Sequence, residues 1–299
     1  MMTMPESYLG RRLRLLKETQ NPDGGWGYFA GKRSWLEPTS YALLALHQDT
    51  GSEHWERGWN LLREWQRDDG AWRPTAQVED AHWSTALAVT LHCVRNVYDS
   101  RFRNGVDWML DSAGVEGRLL QRVVAYFTNV SPTGHDLKYR GWPWRPDSVS
   151  WIEPTAHSLV ALKMAAPHIG GALLKRRIVM GEGMILRRRC SDGGWNYGST
   201  AALGIDLPSY PETTALALLG LQGNRDADLG PALARARQLY EQGQSPLASA
   251  LLKLSLRSYG MKVPVEAAKE TGRDLLVTAV ESIGAAEGAF GLLRPPVSS

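Results

Sequence analysis

Cysteine is scarce in this 299-residue chain: there are two, Cys93 and Cys190, far apart in sequence. So few exclude a disulfide framework and point to a reducing, cytoplasmic setting. No run of eighteen uninterrupted apolar residues occurs, which excludes a transmembrane helix and leaves only peripheral contact with a membrane open. The first residues, MMTMPESYLGRRLRLLKE, lack the apolar segment of a secretory signal. An excess of one charge is lacking too. With 34 basic and 31 acidic residues the net charge is +3, too balanced for nucleic-acid binding. Basic residues gather only locally, as Arg11, Arg12 and Arg14, as Lys175, Arg176 and Arg177, and as Arg187, Arg188 and Arg189. These read as solvated helix faces or, more sharply, as contacts for a diphosphate or lipid headgroup. Phenylalanine is also sparse, four residues against twelve Trp and ten Tyr. Trp and Tyr carry an apolar body with one polar handle, so this bias suits semi-polar junctions and pocket walls.

What the chain has is internal repetition. Turns with a Gly-Trp signature occur at Asp23-Gly24-Gly25-Trp26, Asp69-Gly70-Ala71-Trp72, Gly141-Trp142-Pro143-Trp144 and Asp192-Gly193-Gly194-Trp195. Each precedes a polar helix start: Glu37-Pro38-Thr39, His82-Trp83-Ser84, Glu153-Pro154-Thr155 and Glu212-Thr213-Thr214. Each start leads into an apolar core such as YALLAL at 41–46 or LALLGL at 216–221. A degenerate copy begins at Ser245-Pro246. Helices apolar nearly all round are expected to begin near 37, 82, 117, 153, 212 and 245 and to be buried. Charged amphipathic segments near 6–19, 53–66, 101–113, 170–189, 231–243 and 265–283 are expected outside them. No run has the period-two alternation of a strand. The pattern predicts an all-α, (α/α)6 toroid of alternating inner and outer helices. It is expected as a single domain over 1–299, with repeats over roughly 6–260 and a C-terminal helix and tail over 261–299.

Gln20-Asn21-Pro22-Asp23-Gly24-Gly25-Trp26 resembles the QW motif, and Gln66-Arg67-Asp68-Asp69-Gly70-Ala71-Trp72 is a near match. With the Glu-Pro-Thr starts, these turns are similar to the repeats of the squalene–hopene cyclase, oxidosqualene cyclase and protein prenyltransferase family. That resemblance implies an α-α toroid holding an isoprenoid chain in a central apolar cavity. It also implies acid-initiated carbocation chemistry by an aspartic acid of a DXDD motif at an inner-helix start. No DXDD is present. The corresponding positions carry Glu37, His82, Glu153 and Glu212, and only Asp80 survives in the second repeat, beside His82.

Glu37, Glu153, Glu212 and the Asp80/His82 pair are therefore the candidate acids. Against this stands the plainer role of a first-turn carboxylate that complements the helix dipole, and of a capping histidine. Trp35, Trp83, Trp151 and Tyr210 lie at the helix starts, with Tyr41 and His157 one position deeper. They are expected either to line a cavity and favour cations through their ring faces, or to wedge neighbouring helices apart. His47, His92 and Cys93 lack the third ligand of a zinc site, so no metal and no cofactor is expected, Mg²⁺ entering only with a diphosphate substrate. The expected ligand is an isoprenoid or other apolar small molecule. A non-catalytic toroid that binds an apolar ligand or a partner protein remains the alternative to a cyclase-like enzyme.

Overall fold

The computed structural model describes residues 7–81, 83–115, 139–202, 205–264 and 274–285. They form eleven α-helices: α1 (Tyr8–Glu18), α2 (Leu36–Ala45), α3 (Glu53–Glu64), α4 (Thr85–Arg95), α5 (Ser100–Asp111), α6 (Ile152–Ile169), α7 (Ala172–Arg187), α8 (Pro211–Gly220), α9 (Gly230–Glu241), α10 (Pro246–Ser258) and α11 (Leu275–Ala285). One antiparallel pair, β1 (Ala201–Ala202) with β2 (Ile205–Asp206), is the described sheet. Six helices close a ring: α2 packs on α4, α4 on α6, α6 on α8, α8 on α10, α10 on α11 and α11 back on α2. The amphipathic helices α1, α3, α5, α7 and α9 pack outside it. This is the predicted α/α toroid.

Four of the inner helices, α2, α4, α6 and α8, are tied to their preceding turns by the same hydrogen bonds. The backbone N–H groups of Trp26, Trp72, Trp142 and Trp195 donate to the hydroxyls of Thr39, Thr85, Thr155 and Thr214 at 2.9, 2.8, 3.0 and 3.0 Å. Their indole N–H groups donate to the last-turn carbonyls of outer helices, at Leu16, Leu62, Met109 and Ile185. All four indoles are buried. A large ring with one satisfied donor thus welds outer helix, turn and inner helix, which is why Gly-Trp and Thr recur together. Gly24 takes φ +94° and packs on the Arg57 carbonyl, where a side chain would collide.

Two expectations need correction. Matching the start His82-Trp83-Ser84 to Glu37-Pro38-Thr39 placed His82 in the position of Glu37, but Thr85, not Ser84, makes the threonine bond, so Trp83 stands in that position. The segment 265–283 was expected outside. Instead every residue of α11 is buried and the helix closes the inner ring. Its Glu281, which resembles a surface residue in sequence, pairs inside with Arg12 at 3.1 Å. The inner helix expected near 117 lies outside the described residues, and the ring closes by direct packing of α4 on α6. The basic clusters also divide: Arg12, Arg177 and Arg188 are buried. Arg177 lies over the Trp142 ring at 3.9 Å and donates to the Ser112 and Arg140 carbonyls. Arg188 donates to the Ser150 carbonyl at 2.6 Å.

Candidate functional site

The starts of the inner helices bring carboxylates together at one end of the ring. Trp35, Trp151 and Tyr210 are the N-cap residues of α2, α6 and α8, all extended. Their N–H groups donate to the carbonyls of Trp26, Trp142 and Trp195. With the cap held by that turn, the first helical turn places Glu37, Glu153 and Glu212 alike. The residue two after three of the turn Trp residues then reaches a neighbouring inner helix. Carbonyls of Tyr28, Pro74 and Tyr197 accept from the N–H of Leu275, Leu36 and Ile152, the first residues of α11, α2 and α6. This stitching sets Tyr28 beside Asp274 and Tyr197 beside Trp151 and Glu153.

The electrostatics follow from enclosure. Glu37 and Glu153 each keep some contact with solvent but are nearly surrounded by protein. Burial pushes Glu153 up to about 8, with the charges of Glu37 and Glu212 adding to the shift. A carboxyl in that range is neutral at pH 7. Burial raises Glu37 as well, and Asp274 raises it further, whereas the phenol of Tyr28, donating to Oε2 at 2.5 Å, opposes the rise. Glu212 accepts from Ser245 Oγ at 3.3 Å. Among the described residues, the charges that bear on Glu37 and Glu153 are carboxylates only.

One turn further along the helices, Tyr41 and His157 meet. The Tyr41 hydroxyl lies 2.8 Å from His157 Nε2, and His157 Nδ1 lies 3.0 Å from the Glu153 carbonyl. The carbonyl can only accept, so Nδ1 carries the proton and Nε2 accepts from the phenol. Burial lowers the His157 pKa to about 4, so the ring is neutral. Beyond this pair the described residues leave little space. The cavity lined by Tyr41, Leu44, Leu87, Thr90 and His157, with aliphatic neighbours, is about 20 Å³, room for one water. That cavity is too small for a ligand chain.

Aromatic rings wall that side. Trp151 meets Tyr197 at 6.5 Å, and Tyr197 meets Tyr210 at 5.4 Å. Tyr28 meets Trp35 at 6.2 Å, and Trp83 lies 4.7 Å from His157 and 5.2 Å from Trp144. Tyr197 is 51% and Tyr210 42% exposed, so their faces are open to a ligand. The structure thus groups Glu37, Glu153 and Glu212 with Trp35, Trp151 and Tyr210, and places Tyr41, His157 and Trp83 at the inner boundary. Asp80 is exposed and its nearest ion-pair partner is Arg145 at 3.5 Å. His82 lies outside the described residues. Sequence reasoning missed Tyr28, Tyr197 and Asp274. The first two had a signal: Tyr28, Trp144 and Tyr197 all stand two residues after a turn Trp. Asp274 had none, because its turn has no Gly-Trp.

No family profile and no curated protein matches the sequence. Solved structures match in shape. A type II terpene cyclase, MstE from Scytonema, superposes with a TM-score of 0.54 at 16% identity over 92% of this chain and 77% of that one. A variant of that cyclase was solved with its substrate, geranylgeranyl dihydroxybenzoate, and superposes at 0.53. The endoglucanase Cel10 from Klebsiella pneumoniae, a family 8 glycosyl hydrolase, gives 0.62 at 12% identity over 92% of this chain and 97% of that one. At these identities the likeness is one of fold, the α/α toroid. No helix among the described residues is long and apolar enough to cross a membrane.

Proposed function

We propose that the protein is terpene-cyclase-like: it binds an isoprenoid or similar apolar chain between the aromatic walls and delivers a proton to it from Glu153. One observation carries this reading, the enclosed, neutral Glu153 beside a Tyr28-bonded Glu37. Glu153 is the donor, Glu37 is held in place by the Tyr28 hydroxyl, and Trp151, Tyr197 and Tyr210 flank the chain. Asp80 is solvated and paired with Arg145, so the reading does not use it. A carboxyl whose proton is held tightly is a weak acid. It protonates the oxygen of an epoxide or alcohol far more readily than an unactivated alkene, so an oxygenated isoprenoid is the favoured substrate. Among the described residues no three side chains could share a metal ion, and no step is routed through one.

A second reading rests on the same carboxyls. A neutral acid beside a second carboxylate is also the pairing used for glycoside cleavage, and the open Tyr197 and Tyr210 faces could stack on sugar rings. One experiment separates the readings. Purified protein is incubated with squalene, polyprenols, their terminal epoxides and β-1,4-linked glucose oligomers, and the products are weighed by mass spectrometry. A cyclic isomer made by the wild type and not by Glu153→Gln supports the cyclase reading. Shortened oligomers support the second. An unaltered lipid that co-purifies, with no turnover, returns the protein to the non-catalytic alternative.

A further inference from the structure

A cavity of about 330 Å³ opens between the end of α5 and the turn that follows Trp142, and neither reading of Glu153 uses it. The rings of Trp83, Trp108 and Trp144 line it. Trp83 is buried and meets Trp144 edge to face at 5.2 Å, so these two rings form a corner, while Trp108 and Trp144 are half-buried. Buried bonds fix the walls. The guanidinium of Arg177 donates to the carbonyls of Ser112 at 2.7 Å and Arg140 at 3.2 Å, and both of these residues line the cavity. The Trp142 indole N–H donates to the Met109 carbonyl, next to Trp108, and the Val115 N–H donates to the Ser148 carbonyl at 3.0 Å. The segment after α5 and the turn over 140–148 are thus held together before any ligand arrives. A preformed aromatic cleft of this size is the usual setting for a small ligand.

The polar groups narrow the ligand. Arg140, Arg145, Asp111 and Asp147 line this cavity, two cations against two anions, so the lining has no net charge with which to select an ion. On the other side of Trp108 a second cavity of about 410 Å³ shares Asp111 and Ser112 with the first and adds Asp68, Asp69, Asn104 and Asp107. Among the described residues no three of these carboxylates converge as metal ligands do. Spaced carboxylate, amide and guanidinium groups beside ring faces match a ligand with neutral hydroxyls along its edges and C–H groups on its faces. The indole N–H groups of Trp108 and Trp144, which have no acceptor among the described residues, supply two more donors. We infer that this groove binds a neutral oligosaccharide. Its sugar faces stack on Trp108 and Trp144, its hydroxyls pair with Arg145, Asp111 and Asp107, and the chain passes over Trp108 from one cavity to the other. The inference concerns binding alone and rests on neither reading of Glu153.

Isothermal titration of the full chain tests this with hexamers of β-1,4-, β-1,3- and α-1,4-linked glucose, and with 2-naphthoate, a flat anion without hydroxyls. At least one hexamer should bind, about tenfold or more tighter than naphthoate. Trp108→Ala should weaken that hexamer about tenfold, and Trp108→Phe should restore most of the loss. Arg145 and Asp111 are exposed, so Arg145→Ala and Asp111→Asn leave the core intact and should each weaken it about threefold or more. Glu153→Gln should bind it as the wild type does. Hexamer binding that survives the Trp108, Arg145 and Asp111 variants but is lost in Tyr197→Ala would put the sugar at the helix starts. That result overturns the groove and leaves the glycoside reading of Glu153 standing. Naphthoate binding as tight as that of the best hexamer would overturn the sugar in favour of an aromatic anion. If no hexamer binds, the groove is overturned and the isoprenoid reading is untouched.

Discussion

Replacing Glu153 by glutamine keeps the shape of the side chain and removes its titration. In the unfolded chain this carboxyl ionises near its ordinary value of 4.5, and in the folded protein at about 8. Between those values the folded state holds one proton more than the unfolded state. Stability must therefore fall as pH rises, by about 1.4 kcal/mol per pH unit for one fully retained proton. The contribution is fully present below the unfolded value and is lost through the folded one. From pH 5 to 8 this would reach about 4 kcal/mol. Partial solvent contact and the shared titration with Glu37 reduce the expectation to about 2 kcal/mol. Glu153→Gln lacks this slope. Urea denaturation at pH 5, 6, 7 and 8 should show the variant gaining on the wild type by about 2 kcal/mol over the series. Parallel stability curves for the two proteins would refute the enclosure argument. So would a wild type that gains on the variant as pH rises, since that sign belongs to a carboxylate held charged.

Four further outcomes are expected. Thr39→Val keeps the volume but leaves the buried Trp26 N–H without its acceptor, so urea unfolding should show a loss of about 1–3 kcal/mol. Gly141→Ala places a methyl group into the Thr155 hydroxyl and should cost about 1–3 kcal/mol by the same assay. Tyr41→Phe orphans Nε2 of His157 inside the ring and should destabilise by a similar amount, about 1–3 kcal/mol, while leaving the carboxylate end folded by near-UV circular dichroism. Tyr28→Phe removes the one hydrogen bond that opposes the upward shift of Glu37, so the pH at which its carboxyl band titrates in the infrared should move higher.

The toroid was legible because its logic is local and repeated. A turn Trp and a helix-start Thr thirteen residues later, as in Trp26 and Thr39 or Trp142 and Thr155, are joined by one hydrogen bond. The bond recurs at the same spacing in the first three copies and at nineteen residues in the fourth, Trp195 to Thr214. The aromatic N-caps Trp35, Trp151 and Tyr210 were legible for the same reason. In the second repeat the spacing from Trp72 to Thr85 is kept, but the start read at His82-Trp83-Ser84 lies one residue too early, and Trp83 stands where the other copies have an acid. Helix α11 was misplaced because Glu281 marks a surface in sequence, and its buried partner Arg12 lies at the other end of the chain. The three basic clusters hid the same thing, since nothing local distinguishes Arg177 from Arg176 until Trp142 is seen beneath it.

By itself, the sequence determined the helical class, the inner and outer alternation, the polar helix starts and the rings that cap them. All of these depend on residues close together along the chain. Only the tertiary structure decided which helix closes the ring, which arginines are buried, and which carboxylates bear on one another. Glu37, Glu153 and Glu212 are alike in sequence, each a first-turn glutamate. Burial and the charges of Glu37 and Glu212 push Glu153 up to about 8. That distinction is a sum over distances between helices, and distances between helices are not written in any one repeat.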